Sequence, residues 1–116
     1  MQKNINYNAD LDPADKPGAP GAPEVKDITN TTATLEWTPP KKDGGSPITN
    51  YVIEYKPDTA SKWLKVEDKV PACSYTVCDL VQGLNYQFRV SAENKAGVGK
   101  PSDVSATYTI KAPVGE

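Results

Sequence analysis

Short segments in which every second residue is apolar constrain the fold of this chain more than any other feature of its sequence. In the longest such segment, Tyr86, Phe88, Val90 and Ala92 alternate with polar residues. Because successive side chains of a strand point to opposite faces of a sheet, this pattern predicts a strand with one buried and one solvated face. None of the longer apolar repeats has the helical period of about 3.6 residues, so we predict an all-β fold.

Two other segments show the same alternation, around Leu35 and Ile53, and four weaker segments fill the intervals between turns. Proline and glycine clusters such as Pro39-Pro40 and Asp43-Gly44-Gly45-Ser46-Pro47 separate the segments. Together they predict a seven-stranded antiparallel β-sandwich of the immunoglobulin-like type. The predicted strands cover residues 24–29, 33–37, 51–55, 62–67, 73–78, 86–92 and 104–110.

The inward-facing members of these strands form the predicted core. Trp37 is the largest of them, and Leu80 is expected to close one end of the core. The predicted core residues are Leu35, Trp37, Tyr51, Ile53, Tyr55, Val77, Leu80, Tyr86, Phe88 and Val90.

The chain is long enough for one domain and a linker, since a typical domain has roughly 100–200 residues. Proline and glycine alternate between Pro13 and Pro23, and no sustained periodicity precedes Pro23, which is typical of an extended linker. Removal of residues 1–16 should therefore leave the melting temperature nearly unchanged. The predicted organisation is a flexible or extended linker over residues 1–19, the domain over 20–113 and the start of a next linker over 114–116.

The residue inventory argues against catalysis. The chain contains no histidine, which removes the commonest general base and the commonest metal ligand. Its 2 cysteines are a poor supply of zinc ligands, and neither the glycine-rich phosphate-binding motifs nor the nucleophile-elbow motif occurs in the sequence. We therefore expect no enzymatic activity, no cofactor and no metal site.

The charge distribution gives no reason to expect a nucleic acid or a membrane as partner. The formal net charge is −2, whereas proteins that bind nucleic acids usually carry a basic field. Lys41-Lys42 is a basic pair followed directly by Asp43 rather than a basic patch. A membrane-spanning helix needs about 20 apolar residues in a row, and the apolar runs here are only a few residues long.

The two cysteines bear on the cellular compartment. Cys73 and Cys78 lie on one predicted strand at an odd separation, so their side chains should point to opposite faces, about 16 Å apart. A disulfide needs Cα atoms within roughly 7 Å, and two unpaired thiols favour a reducing compartment. The glycosylation sequon Asn30-Thr31-Thr32 favours secretion instead. We rank a cytoplasmic location ahead of a secreted one.

The residue pattern resembles the fibronectin type III family over about residues 20–113. The resemblance rests on Trp37, on the Leu80-x-x-Gly83-x-x-Tyr86 motif and on the segment from Tyr86 to Ser102. It implies a tyrosine corner in which the Tyr86 hydroxyl bonds back to the backbone of residues 80–84. Gln82 departs from the family, which often has proline there.

A narrower similarity points to the modules of giant muscle proteins such as titin, twitchin, projectin and myosin-binding protein C. It rests on residues 39–54, on Lys62-Trp63 and on residues 92–102. The similarity implies a structural and protein-interaction module of a thick-filament-associated protein in the sarcomere, monomeric in isolation. Its implied partners are neighbouring immunoglobulin or fibronectin type III modules in tandem, with myosin and other thick-filament proteins as further candidates.

Two alternatives to this hypothesis remain at the sequence level. The first is an extracellular fibronectin type III module of a receptor or adhesion protein, which glycan occupancy at Asn30 would identify. The second is a module that flanks a serine/threonine kinase domain elsewhere in a giant parent protein. Four residues are candidates for a partner surface, the loop residues Asp43, Gly44 and Gly45 and the aromatic residue Trp63.

Overall fold

A computed structural model of the chain describes residues 14–113, and these residues form two antiparallel sheets without a helix. The strands are β1 (Glu24–Ile28), β2 (Ala33–Glu36), β3 (Asn50–Pro57), β4 (Leu64–Lys65), β5 (Ser74–Val77), β6 (Asn85–Asn94), β7 (Gly97–Val98) and β8 (Tyr108–Thr109). One sheet has the order β1-β2-β5. The other has the order β4-β3-β6-β7, with β8 also paired to β6. The predicted all-β sandwich is confirmed.

The core lies between the two sheets and consists of the inward-facing members of the alternating strands. Phe88, Leu35 and Ile53 are among its largest fully buried side chains. Tyr55, also predicted as a core residue, is half-buried, and its ring packs against the Tyr86 ring with centroids 6.2 Å apart. The buried apolar residues are Ala33, Leu35, Trp37, Tyr51, Ile53, Val70, Val77, Leu80, Tyr86, Phe88, Val90, Ala92 and Ile110.

The longest strand pair is β3 with β6, which pair from Asn50 opposite Glu93 to Pro57 opposite Tyr86. The strand predicted over residues 62–67 is much shorter than expected, because β4 contains only Leu64 and Lys65. Both of these residues are exposed, and beyond them one further bond, from the N–H of Val66 to the carbonyl of Ile53 (2.9 Å), joins this segment to β3. Trp63, predicted on this strand, precedes it.

The strand predicted over residues 104–110 is interrupted rather than continuous. Only β8 forms within it, and β7 forms earlier along the same edge of β6. Between them, the side chains of Ser102 and Ser105 accept hydrogen bonds from the backbone N–H groups of Val90 (3.1 Å) and Phe88 (3.0 Å). Each serine also donates its own N–H to the carbonyl of the same partner. Serine oxygens therefore replace two backbone carbonyls of a regular strand.

The Tyr86 hydroxyl bonds to the backbone of the connection between β5 and β6, as the resemblance implied. It accepts a hydrogen bond from the N–H of Val81 at 3.0 Å. The connection turns at Gly83, whose φ of 93° lies in the region that favours glycine. The hydroxyl therefore satisfies a backbone donor, on a residue that is exposed to solvent.

The two cysteines lie on either side of β5, and both are free thiols. Cys73 is half-buried and its thiol donates to the Tyr51 hydroxyl at 3.4 Å, whereas Cys78 is exposed. Burial raises the pKa of Tyr51, and the contact with Cys73 raises it further. The thiols differ in environment, as their odd separation predicted.

Candidate interaction surface

The segment that precedes β1 lies against the domain and is held there by backbone hydrogen bonds. The N–H groups of Asp15, Gly18 and Gly21 donate to the carbonyls of Gly44 (2.9 Å), Lys42 (3.0 Å) and Thr38 (3.0 Å). We call residues 15–21 the strap. Of the predicted linker, residues 1–13 lie outside the described residues, as do residues 114–116. Residues 15–19 are extended, but they are attached to the loop that joins β2 and β3. Removal of residues 1–16 would delete the hydrogen bonds of Asp15, so we now expect it to lower the melting temperature.

Two prolines lie between the donors of the strap, which are spaced at every third residue. Pro17 and Pro20 are buried and have no N–H to donate, and their fixed φ keeps the segment extended. The residues after them, Gly18 and Gly21, supply the donors. Pyrrolidine rings thus provide the apolar contact and glycine amides provide the hydrogen bonds.

Asn94 joins the strap to the rest of the fold. This side chain is buried, and its Nδ2 donates to the carbonyls of Asp15 (2.8 Å) and Asp43 (2.7 Å). Its Oδ1 accepts the N–H of Ala96 at 2.8 Å. A single amide therefore connects the strap, the loop before β3 and the turn after β6. Sequence reasoning missed this role, although residue 94 continues the inward-facing series of Tyr86, Phe88, Val90 and Ala92.

Two glycines are required by the close approach of the strap. A Cβ on Gly44 would lie 2.0 Å from the carbonyl oxygen of Asp15, and Gly44 also has a φ of 79°. A Cβ on Gly99 would lie 2.0 Å from the carbonyl oxygen of Pro17. The φ of Gly99 is one that any residue adopts, so only the strap excludes a side chain at this position.

A groove of about 570 Å³ runs beside the strap. Its lining comes from three segments that are distant in sequence, namely the strap, the loop before β3 and residues 98–100, at the end of β7 and just after it. Each segment contributes a lysine, Lys16, Lys42 and Lys100 respectively. Val98, with 41% of its surface exposed, adds an apolar patch. The sequence showed only the pair Lys41-Lys42, because the other lysines approach it through the fold.

The structure separates the four predicted partner-surface residues into two places. Asp43, Gly44 and Gly45 form the loop under the strap, where the Asp43 carboxylate accepts the N–H of Gly45 at 2.9 Å. Trp63 lies against Arg89, whose guanidinium carbon is 4.4 Å from the ring centroid. Arg89 and Asn94 are five residues apart on β6, which corresponds to about 16 Å. Trp63 is therefore not part of the strap surface.

Trp63 belongs to a polar cluster on the outer face of the larger sheet. Arg89 stacks on the ring and forms an ion pair with Glu54, with Nε and Oε1 2.8 Å apart. The Lys56 ammonium lies 5.4 Å from the same ring centroid. The tryptophan is thus largely engaged by side chains of its own domain.

The described part of the chain contains neither a cluster of metal ligands nor a membrane-spanning helix. Among residues 14–113, no three His, Cys, Asp or Glu side chains lie close enough to hold a metal ion. Within the same range, no helix is long and apolar enough to cross a membrane. Tyr75 is half-buried, and its hydroxyl donates to the Asp68 carboxylate at 2.5 Å. This bond, together with partial burial, raises the pKa of Tyr75 to about 12, which stabilises the neutral phenol.

Comparison with known sequences decides the family. The family model described as "Fibronectin type III domain" matches residues 18–108. This chain belongs to the fibronectin type III family. The fibronectin type III domain is a non-catalytic structural module, in agreement with the expectation that this chain is not an enzyme.

The relatives include muscle proteins. This fibronectin type III chain is 38% identical over 101 residues to "M-protein, striated muscle" of Gallus gallus, covering 86% of this chain and 7% of that protein. It is 35% identical over 106 residues to "Protein sax-3" of Caenorhabditis elegans, covering 90% of this chain and 8% of that protein. The chain therefore spans less than a tenth of the length of these relatives.

Among solved structures, domains A168–A170 of titin superpose on the chain with a TM-score of 0.81. The two share 44% sequence identity over 84% of this chain and 33% of the titin chain. The match corresponds to one of three domains in that titin structure. The resemblance to modules of giant muscle proteins is thus confirmed.

Proposed function

We propose that this domain is a spacing and load-bearing module of a sarcomeric, thick-filament-associated protein. In this proposal the module is one of a tandem series of immunoglobulin and fibronectin type III modules. The 44% sequence identity with the titin domains supports a place in a muscle protein. The chain spans only a small share of each relative, which supports a long parent protein. The proposed location is the sarcomere, in the cytoplasm.

The positions at which the strap and β8 attach to β6 are the observation that carries the spacing function. The strap is attached to Asn94, the last residue of β6. The outgoing segment pairs with the first residues of the same strand, where Thr109 lies opposite Asn85. These attachment points are nine residues apart along β6, which corresponds to about 30 Å. The chain thus enters at one end of the sandwich and leaves at the other, as a spacer module requires.

Load resistance follows from the arrangement of β3 and β6. Their eight paired residues form the longest ladder in the described chain, and the two attachment points are at opposite ends of one of these strands. A force applied through the two ends acts along β6, so it loads the bonds that join the strap and β8 to this strand, while the pairing with β3 holds β6 in the sheet.

Immunolocalisation tests the proposal. We expect an antibody against residues 14–113 to give striated, sarcomere-periodic staining in permeabilised muscle fibres of the source organism. Staining of intact, non-permeabilised cells without a striated pattern would contradict the proposal. The same antibody can purify the parent protein for mass measurement.

One observation favours a second function, that of an extracellular module. Asn30 is exposed in the turn between β1 and β2, where a glycan could be attached without a steric clash with the core. Protein sax-3 also shows that the relatives are not all named as muscle proteins. Mass spectrometry of the purified parent distinguishes the two functions, because a glycan on Asn30 would require passage through the secretory pathway.

A further inference from the structure

We infer that the groove beside the strap binds an acidic segment of a partner protein, with carboxylates on either side of an apolar side chain. This inference does not depend on whether the parent protein is sarcomeric, because it rests only on the charges and shape of this domain. It concerns Lys16, Lys42, Lys100 and Val98, which line the groove.

The charge of the three segments around the groove is opposite to that of the whole chain. Residues 15–18, 41–45 and 95–100 contain five lysines and two aspartates, a net charge of +3, whereas the chain has a net charge of −2. Such a local excess of one sign attracts ligands of the opposite sign and raises their rate of association. The five lysines are Lys16, Lys41, Lys42, Lys95 and Lys100.

Asp15 also lines the groove, but none of the groove lysines forms an ion pair within the described part of the chain. The two ion pairs found among residues 14–113 are Lys26 with Glu24 and Arg89 with Glu54. Asp43, the nearest acidic residue in the loop, accepts a hydrogen bond from Gly45. Carboxylates of a partner would therefore find three ammonium groups that are not already paired with the described carboxylates.

The strap places Lys16 in the groove. The side chain of Lys16 runs over Gly97, and its Cε would be 3.3 Å from a Cβ at that position. The aliphatic part of Lys16 thus packs on a glycine of the turn after β6, as lysine side chains commonly do on apolar surface. The third lysine of the site depends on strap docking, because the sequence position of Lys16 alone does not bring it near Lys100.

The shape and polarity of the groove indicate a peptide rather than an extended polyanion. A volume of about 570 Å³ lies in the range typical of pockets that hold small ligands, so a few side chains of a peptide can enter it. Val98 is 41% exposed in the lining, and burial of its apolar surface would add to the electrostatic attraction. An acidic segment with one apolar side chain satisfies both features.

Fluorescence anisotropy with a fluorescein-labelled peptide of three Glu-Glu-Leu repeats tests the inference. The unaltered protein should bind the peptide at 50 mM salt, and affinity should fall as salt rises because screening weakens charge pairs. The triple variant K16Q/K42Q/K100Q should bind at least tenfold more weakly. The control variant K26Q/K62Q/K111Q, which loses the same charge elsewhere, should change the affinity less than threefold. Equal losses in both variants, or no binding at 1 mM protein, would overturn the proposal.

A second variant tests the site without changing the net charge. Gly99→Ala should displace the strap and with it Lys16, so peptide affinity should fall at least threefold, while Thr107→Ala, an exposed substitution outside the groove, should leave it unchanged. Unfolding curves identify any variant that fails to fold. If Gly99→Ala releases the strap yet binds the peptide normally, the groove assignment is wrong.

Two other occupants are separate outcomes that would also overturn the proposal. One is a membrane. In that case the unaltered protein would bind phosphatidylserine vesicles but not the peptide, and the vesicle binding would be lost in K16Q/K42Q/K100Q. The other is the chain's own upstream carboxylates, Asp10 and Asp12. In that case the unaltered protein would not bind the peptide at 1 mM protein, whereas the variant D10N/D12N would bind it.

Discussion

The side-chain nitrogen of Asn94 lies 2.8 Å from the carbonyl oxygen of Asp15, a residue 79 positions earlier in the chain. The same nitrogen donates to Asp43. Because buried polar groups are nearly always hydrogen-bonded, this amide is an essential part of how the strap and the loop before β3 are held together.

Asn94→Ala should therefore destabilise the domain. Removal of the amide leaves two carbonyls and the Ala96 N–H without their partner, and each unsatisfied buried group costs about 1–3 kcal/mol. Part of this cost disappears if the strap detaches, so we expect a loss of about 2 kcal/mol in urea denaturation. Asn85→Ala is the control, since the hydrogen bonds of Asn85 are exposed. Equal effects of the two substitutions would contradict the assigned role of Asn94.

Gly99→Ala should release the strap and leave the sandwich folded. The added methyl group would lie 2.0 Å from the Pro17 carbonyl oxygen. Amide hydrogen exchange of Asp15, Gly18 and Gly21 should become at least tenfold faster, while exchange in β3 and β6 stays slow. Gly18→Ala is the matched control, because its methyl group would lie 3.7 Å from the Lys42 carbonyl, an ordinary contact. Slow exchange of the three amides in Gly99→Ala would show that the strap tolerates the side chain.

Tyr86→Phe should lower the free energy of unfolding by less than the loss of a fully buried hydrogen bond would. The group that loses its partner is the N–H of Val81, and Val81 is 55% exposed. Water can partly replace the hydroxyl, so we expect a loss of about 0.5–1.5 kcal/mol in equilibrium denaturation. A loss above about 3 kcal/mol would mean that the connection between β5 and β6 rearranges when the hydroxyl is removed.

Trp37→Ala should destabilise the domain by about 3–5 kcal/mol, because the substitution leaves a large cavity in the core. The Trp37 ring packs edge to face on Tyr51, with centroids 5.5 Å apart. Its indole N–H has no hydrogen-bond partner among the described residues, so Trp37→Phe should cost much less than Trp37→Ala. Trp63→Ala is the control and should cost about 1 kcal/mol or less, since exposed cation–π contacts are worth about 0.5–1 kcal/mol.

Ultraviolet absorbance of the phenolate should show Tyr75 ionising with a pKa of about 12. Because folding raises this pKa, the stabilisation is complete below about pH 10, the ordinary pKa of tyrosine. It is lost as the pH rises from 10 through 12. Asp68→Asn removes the carboxylate that accepts the hydrogen bond and should return the pKa of Tyr75 toward 10. An unchanged titration in Asp68→Asn would show that burial alone raises the pKa.

The alternation of apolar and polar residues predicted those strands that bury one face in the core. β3 and β6 each bury one face along most of their length, so their sequences carry a period of two. β4 has no buried face, and the stretch from Ser102 to Ser105 bonds through side-chain oxygens, so neither left a clear pattern. In such segments hydrogen-bond geometry rather than apolar burial determines where a strand begins and ends.

The strap illustrates a second kind of information that the sequence did not reveal. Its docking depends on backbone groups, on two buried prolines and on the missing side chain of Gly99, and none of these produces a periodic signal. The sequence did contain one sign of the role of Asn94. Residue 94 lies two positions after Ala92 and so faces inward on the same strand, where an asparagine needs buried hydrogen-bond partners. The clustering of Lys16, Lys42 and Lys100 depends on tertiary structure alone.

The hydrogen bonds from Ser102 and Ser105 to β6 affect whether neighbouring domains of this fold can pair with one another. An open strand edge can pair with a strand of another molecule, and modules joined by short linkers encounter one another at millimolar effective concentration. On the side of β6 opposite β3, β8 pairs at Asn85, the serines bond Phe88 and Val90, and β7 pairs at Glu93. This edge therefore offers few free groups to a neighbour's strand, which protects a repetitive protein against strand exchange between its own modules.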